Sequence, residues 1–230
     1  MKSPSNGASQ QAASEQPHAK PLLILGTHML AIELADLVSE VAGYRLVGFV
    51  ENQEPERCRE TMEGLPVHWI DSIGDLARDH YAVCGISTTH RIRFIEQASA
   101  QGMRFATVVH PTARVSTKST LGAGTIISAG VQVAACTQIG KYVFVNRGAL
   151  IGHHTTISDY VTIQPGANIA GACHVGEGAY IGMGAIVIEC KSIGAHSVIG
   201  AGAIVNRDVP ANVEVVGRPA RVVKTNVAGR

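Results

Sequence analysis

Charge is scarce in this 230-residue chain: 16% of residues are charged and the formal net charge is +1 at pH 7. Such a balance supplies no basic field for a phosphate backbone and no acidic tail to imitate one, so nucleic acid is not an expected partner. Paired cysteine spacing is lacking too. Cys58, Cys84, Cys136, Cys173 and Cys190 form no C-x-x-C and no paired framework, which suits a reducing compartment and makes the cytoplasm the natural setting. The first twenty residues hold no apolar run that could serve as a signal peptide or a membrane span. Being polar and small, residues 1–20 read as a disordered tail. What remains is long enough to bury a core and to divide into two domains.

Against these absences stands one dominant regularity. Stepping by six from Val109 to Val205, every position is Val, Ile or Leu, as in Ile127, Val133, Ile139, Val145, Ile151 and Ile157. Four residues after each of these comes a small residue, such as Ala149, Thr155 and Ala167, with Lys191 the exception. Glycine often follows the aliphatic residue directly, as at Gly122, Gly140 and Gly152, where a sharp corner is expected to need backbone freedom. Each six-residue unit therefore reads as one short strand and one turn. Three units close a triangular coil of eighteen residues, with the aliphatic side chains stacking inward and backbone groups pairing between coils about 4.8 Å apart. The unbroken period predicts a loop-free prism over 109–210, with a cap over 211–230. Spacing does not set the hand of the coil.

The segment before it alternates differently. The apolar run Leu22–Leu25 is followed by Gly26, Thr27 and His28, then by a helical spacing of Leu30, Leu34, Leu37, Val38 and Val41. Further strands read over Leu46–Val50 and Ala82–Ile86, and a second helix over Arg91–Gln101. Strand and helix in alternation predict a small parallel sheet, a Rossmann-like α/β domain over 21–108. A dinucleotide fingerprint needs G-x-G-x-x-G at the first turn, and only Gly26 is present, which speaks against a nicotinamide-linked oxidoreductase. The same geometry leaves room for a phosphate or sugar near Gly26, Thr27 and His28, with Glu51 or Asn52 at the next strand end. Glu51 reads equally well as a solvated strand end.

The α/β domain, the link Val109-His110-Pro111-Thr112-Ala113, the loop-free repeat and the ending Gly217-Arg218-Pro219-Ala220-Arg221 together resemble one family. It comprises the bacterial hexapeptide-repeat sugar acyltransferases, including sialic acid O-acetyltransferases and N-acetyltransferases of nucleotide-linked 4-amino sugars. The resemblance implies a left-handed β-helix, a homotrimer with active sites between subunits, acetyl-coenzyme A as co-substrate and no metal. It implies a sugar or nucleotide-sugar acceptor.

The family's catalytic histidine falls at His153, which on spacing alone sits just beyond the corner after inward-pointing Ile151, where its imidazole can face out of the prism. Imidazole is the side chain best suited to take a proton from an attacking amine or hydroxyl near neutral pH. By resemblance, Gly171 donates to the oxyanion or thioester carbonyl, Met183 and Ala201 line the pantetheine groove, and Asn146 faces the acceptor. Three departures stand out. The residue after the base is His154 where the family often has an acidic one, leaving His154 to modulate the base. A histidine that usually contacts the thioester is replaced by Thr162, and the glycine-rich first turn is reduced to Gly26-Thr27-His28.

Two rival classes share the repeat. A zinc hydratase of the γ-carbonic anhydrase type needs imidazoles five residues apart on one chain, a spacing that His153, His154, His174 and His196 do not provide. A non-catalytic scaffold predicts no affinity for acetyl-coenzyme A.

Overall fold

The computed structural model describes residues 19–89 and 91–230. Residues 1–18 of the expected tail lie outside the described residues, and Lys20 already opens the first strand. The N-terminal part runs β1 (Lys20–Leu25), α1 (Met29–Ser39), β2 (Tyr44–Glu51), β3 (Thr61–Met62), β4 (Leu65–Trp69), β5 (Tyr81–Cys84), α2 (Arg91–Ala100) and β6 (Arg104–Phe105). These strands form a sheet in the order β3-β4-β2-β1-β5-β6, parallel except for the β3–β4 hairpin.

The central place of β1 follows from its composition. Leu22 to Leu25 are all fully buried, as a strand covered on both faces requires, and only an uninterrupted apolar run satisfies both faces at once. Leu22 and Ile24 pack with Leu34, Leu37 and Val38 of α1, whereas Leu23 and Leu25 pack with Phe94, Ile95 and Ala98 of α2. The strand order turns back between β1 and β5, so their carboxyl ends border a crevice of the kind that holds ligands in open α/β sheets.

From Val108 onward the chain builds the prism. Each two-residue strand pairs in parallel with the one eighteen residues later: Val108 with Ile126, Ile126 with Phe144, Phe144 with Thr162, Thr162 with Tyr180 and Tyr180 with Val198. No loop interrupts this register. Inward-facing Ile127, Val145, Ile163, Ile181 and Ile199 stack at the axis with no exposure. Buried Thr125, Thr137 and Thr155 are tolerated among them because each hydroxyl donates to a carbonyl, of Gly140, Gly152 and Ala170 respectively, at 2.8–3.0 Å.

The three faces differ sharply. One lies beneath the α/β sheet and the C-terminal segments, so that its outward residues Val108, Ile126, Phe144, Thr162, Tyr180 and Val198 are buried. A second presents Gln132, Leu150, Asn168 and Ile186 outward, and a third Thr120, Gln138, Thr156, His174 and Ser192. These are called here the covered, open and polar faces. The strand Val213–Gly217 adds to the top of the covered face and turns back into Ala220–Thr225 as an antiparallel hairpin. Among the described residues no helix is long and apolar enough to cross a membrane.

The expected reason for the corner glycines needs correction. Positive φ falls two residues after the position expected, for example at Gly166 (+66°) and His154 (+57°). At Gly152 the constraint is contact: a Cβ there would stand 2.4 Å from the Ala170 carbonyl carbon and 2.5 Å from the Gly171 nitrogen. These glycines let one coil approach the next.

Candidate active site

The strand Leu150–Ile151 ends the open face and Thr156–Ile157 begins the polar face, so His153 lies on the edge between them. Ile151 is buried and His153 exposed, the alternation expected when the chain turns outward at a corner. Its Nδ1 stands 3.1 Å from Nδ1 of His154, with the two rings nearly perpendicular at 83°. One of these nitrogens must donate and the other accept, and in the tautomer where His153 Nδ1 is the donor its Nε2 is left unprotonated. His154 reaches this place because it occupies the left-handed corner position.

Gly171 occupies the same corner one coil on. A Cβ there would fall 2.7 Å from Cε1 and 2.9 Å from Nε2 of His153, so the imidazole edge rests on the glycine backbone and any side chain would displace it. The Gly171 carbonyl accepts from Cys190 N–H at 3.0 Å. His153 and Gly171 are thus brought together, an imidazole beside a backbone group.

Met183, Ala201 and Asn146 stand on a different edge, between the covered and open faces. Met183 is 59% exposed and Ala201 is exposed. Arg218 lies beside this edge, its Nε donating to the Gly202 carbonyl at 2.7 Å. Asn146 is buried and accepts from Arg147 N–H at 2.7 Å through its Oδ1, while Arg147 pairs with Glu33 of α1. Within one protomer the open face separates this edge from His153.

Thr162 is corrected. It was expected at the thioester, but it lies on the covered face at 1% exposure, its hydroxyl donating to the Ser87 carbonyl at 3.0 Å and accepting from Arg91 Nη1. A hydroxyl committed on both sides beneath the α/β sheet is not available to a ligand. Sequence reading missed its partner. Arg91 opens α2 yet is 1% exposed, and its Nη2 donates to the carbonyls of Tyr142, Tyr160 and Val161. Burial holds its guanidinium down to about 10, and its Nε has no partner among the described residues. In the sequence it looks like any cationic helix residue, so no local signal marks it as the clamp between the two parts.

The strand-end residues of the α/β domain do converge. Thr27 donates its hydroxyl to the Glu51 carboxylate, and Glu51 also accepts from the backbone N–H groups of Asn52, Gln53 and Glu54 at 2.7–3.3 Å. Glu51 is 3% exposed, which replaces the solvated strand end. Burial pushes its carboxyl up, but the hydrogen bonds from Thr27, Gln53, Asn52 and Glu54 outweigh it and leave the group below its ordinary value. Gly26, at φ +111°, makes the turn. His28 is largely exposed, 4.0 Å from Glu54. Asn52 bridges to Gln97 of α2 through its side chain at 2.7 Å. A cavity of about 740 Å³ lined by Ile32, Val38, Tyr44 and Leu65 opens behind α1, on the α/β domain and away from the His153 corner.

A triangular parallel prism with an exposed imidazole seated on a corner glycine, joined to a parallel α/β sheet, is the type of fold and site that this chain builds. Comparison with solved structures makes the type more specific. The chain is similar to the acetyltransferase domain of PglB from Neisseria gonorrhoeae, at 25% identity and a TM-score of 0.81 over 89% of this chain and all of that one. It is similar to perosamine N-acetyltransferase from Caulobacter crescentus, solved with CoA and GDP-perosamine, at 27% identity and a TM-score of 0.81 over 89% of this chain and 97% of that one. WeeI from Acinetobacter baumannii gives 26% identity and a TM-score of 0.80 over 88% and 99% of the respective chains. No protein-family model and no curated protein matches the chain. Over most of its length the chain is thus similar in fold to a solved sugar acetyltransferase and a solved acetyltransferase domain at 25–27% identity.

Proposed function

We propose that the protein moves an acetyl group from acetyl-coenzyme A to an amino or hydroxyl group of a nucleotide-linked sugar, with His153 as general base. The observation that carries this reading is the seating of the His153 ring edge on Gly171. Nε2 takes the proton as the acceptor adds to the thioester carbonyl, and the Gly171 N–H holds the oxyanion that develops. The tetrahedral species then collapses and expels the coenzyme A thiolate. His154, bound through Nδ1, fixes the ring and shares the positive charge that the base acquires, the part an acidic neighbour plays elsewhere. The neighbour of this chain in Neisseria was also solved with acetyl coenzyme A, which supports the donor, and the GDP-perosamine complex of the Caulobacter protein supports the acceptor class.

In this reading residues 21–108 form a Rossmann-like substrate-binding domain, with the nucleotide sugar held at the crevice bordered by Gly26, Thr27, His28 and Asn52. Buried Glu51 then positions the turn from beneath. Residues 109–210 are the acyltransferase prism, 211–230 its cap. Met183, Ala201 and Asn146 reach His153 only if the open face of one prism meets a neighbour, so we propose a homotrimer with the reaction between subunits. Exposed Leu150 (41%) and Ile186 (40%) on that face are the apolar surface such contact would cover. The acetyl donor would run along the Met183–Ala201 edge of one copy, with Arg218 toward its phosphates, and present its thioester to His153 of the next.

The test is release of free thiol from acetyl-coenzyme A in the presence of nucleotide-linked 4-amino sugars. His153→Ala is expected to lower kcat by about 10²- to 10⁴-fold with the melting temperature preserved, since the side chain is exposed. An unchanged rate in that variant removes the assignment.

A further inference from the structure

The loop after β5 is met by residues from the C-terminal segment. Beyond the capping hairpin, residues 226–230 run down the prism from Asn212 past His196 to Tyr180. Val227 N–H donates to the Asn212 carbonyl at 3.0 Å and Gly229 N–H to the His196 carbonyl at 2.8 Å. The Arg230 carbonyl then receives both donors of Thr89, the N–H at 2.5 Å and the hydroxyl at 2.8 Å. The Arg230 guanidinium lies over the Tyr180 ring, 5.2 Å from its centre.

Two features make this docking specific to the sequence. Gly229 has φ +79°, and a Cβ there would stand 2.3 Å from Cγ2 of Thr89, so only glycine permits both the turn and the approach. Thr89 belongs to the loop after β5, and its carbonyl accepts from Ile92 in the first turn of α2. Its two donors therefore stand together at a helix start in the loop that follows β5 and meet the Arg230 carbonyl, an arrangement suited to an anionic oxygen.

The same segment is lightly held. Asn226, Ala228 and Arg230 are exposed, and a cavity of about 550 Å³ lies between residues 226–230 and Val198, Gly200, Glu214 and Lys224. Hydrogen bonds and one cation–ring contact without a packed apolar seat describe an element that opens at low free-energy cost. We infer that residues 227–230 are a self-docking strap that occupies the Thr89 donors in the resting protein and is displaced when a nucleotide sugar brings its diphosphate to the β5–α2 loop. This rests on the acceptor site proposed above.

The strap predicts competition, which is measured without turnover. The protein and its Gly229→Val variant are titrated calorimetrically with GDP and with GDP-perosamine, and exchange of the Thr89 amide is followed by hydrogen–deuterium exchange. Undocking should speed Thr89 exchange in the variant and tighten binding of both ligands by about three- to tenfold, as expected when a self-bound fraction no longer subtracts from the competent state. Deletion of residues 227–230 should reproduce both effects, which separates loss of docking from any distortion by valine. Unchanged Thr89 exchange overturns the strap, as does binding that is equal or weaker in both variants, or no binding of either ligand to any of the proteins. Failure of the acetyl-transfer reading looks different: tight binding that responds to the variants, with no thiol released from acetyl-coenzyme A.

Discussion

Glu51 shows how a single residue can be read correctly in place and wrongly in character. Its position at a strand end follows from the apolar run of β2, but whether that end faces water depends on the turn of Thr27 above it, twenty-four residues away in sequence. Because its carboxyl is held below its ordinary value, the group contributes stability that is fully present above the unfolded value near 4.5 and is lost as the pH falls through the folded one. Glu51→Gln keeps the shape but weakens acceptance from four donors. Chemical denaturation at pH 7 should show a loss of about 1–3 kcal/mol, and the gap to the unaltered protein should close in acid, below about pH 4. A gap that stays constant down to pH 3 would mean that the charge is not what Thr27 and the turn amides hold.

At the scale of elements, the coil contact rather than the turn sets the demand for glycine. Gly122 would place a Cβ 2.4 Å from the Gly140 carbonyl carbon, whereas Gly166, at φ +66°, would meet nothing within 4 Å. Gly166→Asn should therefore change stability by less than about 1 kcal/mol, since asparagine accepts the left-handed region. Gly122→Ala should cost more, about 1–3 kcal/mol, because two backbones must part. Thermal melts of the two variants decide it, and the reverse order would return the requirement to the turn. The prism was legible because its period is local: one inward aliphatic every six residues determines strand, corner and register together. The central strand β1 was legible for the same reason, as a run apolar on both sides. β3 and β4 were not, since Thr61–Met62 is two residues long and Leu65–Trp69 carries a proline in an otherwise mixed segment. Of the candidate site, the shared corner of His153 and Gly171 was legible because they stand one coil apart, while their roles came from resemblance. Thr162 could not, because what covers its face is decided by Arg91, seventy-one residues away, and the pattern of either segment says nothing of the other.

For the whole molecule, the account turns on the division of labour between two prism edges. His153 and Gly171 stand on one, Met183 and Ala201 on the other, and the open face with Leu150 and Ile186 lies between them. In the proposed trimer, a closed ring of three copies would set each edge against the other edge of a neighbour, and the faces left over support that choice. The covered face is already occupied by the α/β domain, and the polar face carries Thr120, Gln138, Thr156, His174 and Ser192, which favour water.

Mixing two inactive variants tests this most directly. His153→Ala removes the proposed base, and Ala201→Trp blocks the proposed coenzyme groove on the opposite edge. If each site draws one edge from each of two subunits, unfolding and refolding the two variants together in equal amounts should restore about a quarter of the original thiol-release rate, the share of interfaces at which both contributed edges are intact. Recovery no greater than the sum of the separate variants would show that one protomer supplies the entire site, and would contradict the account.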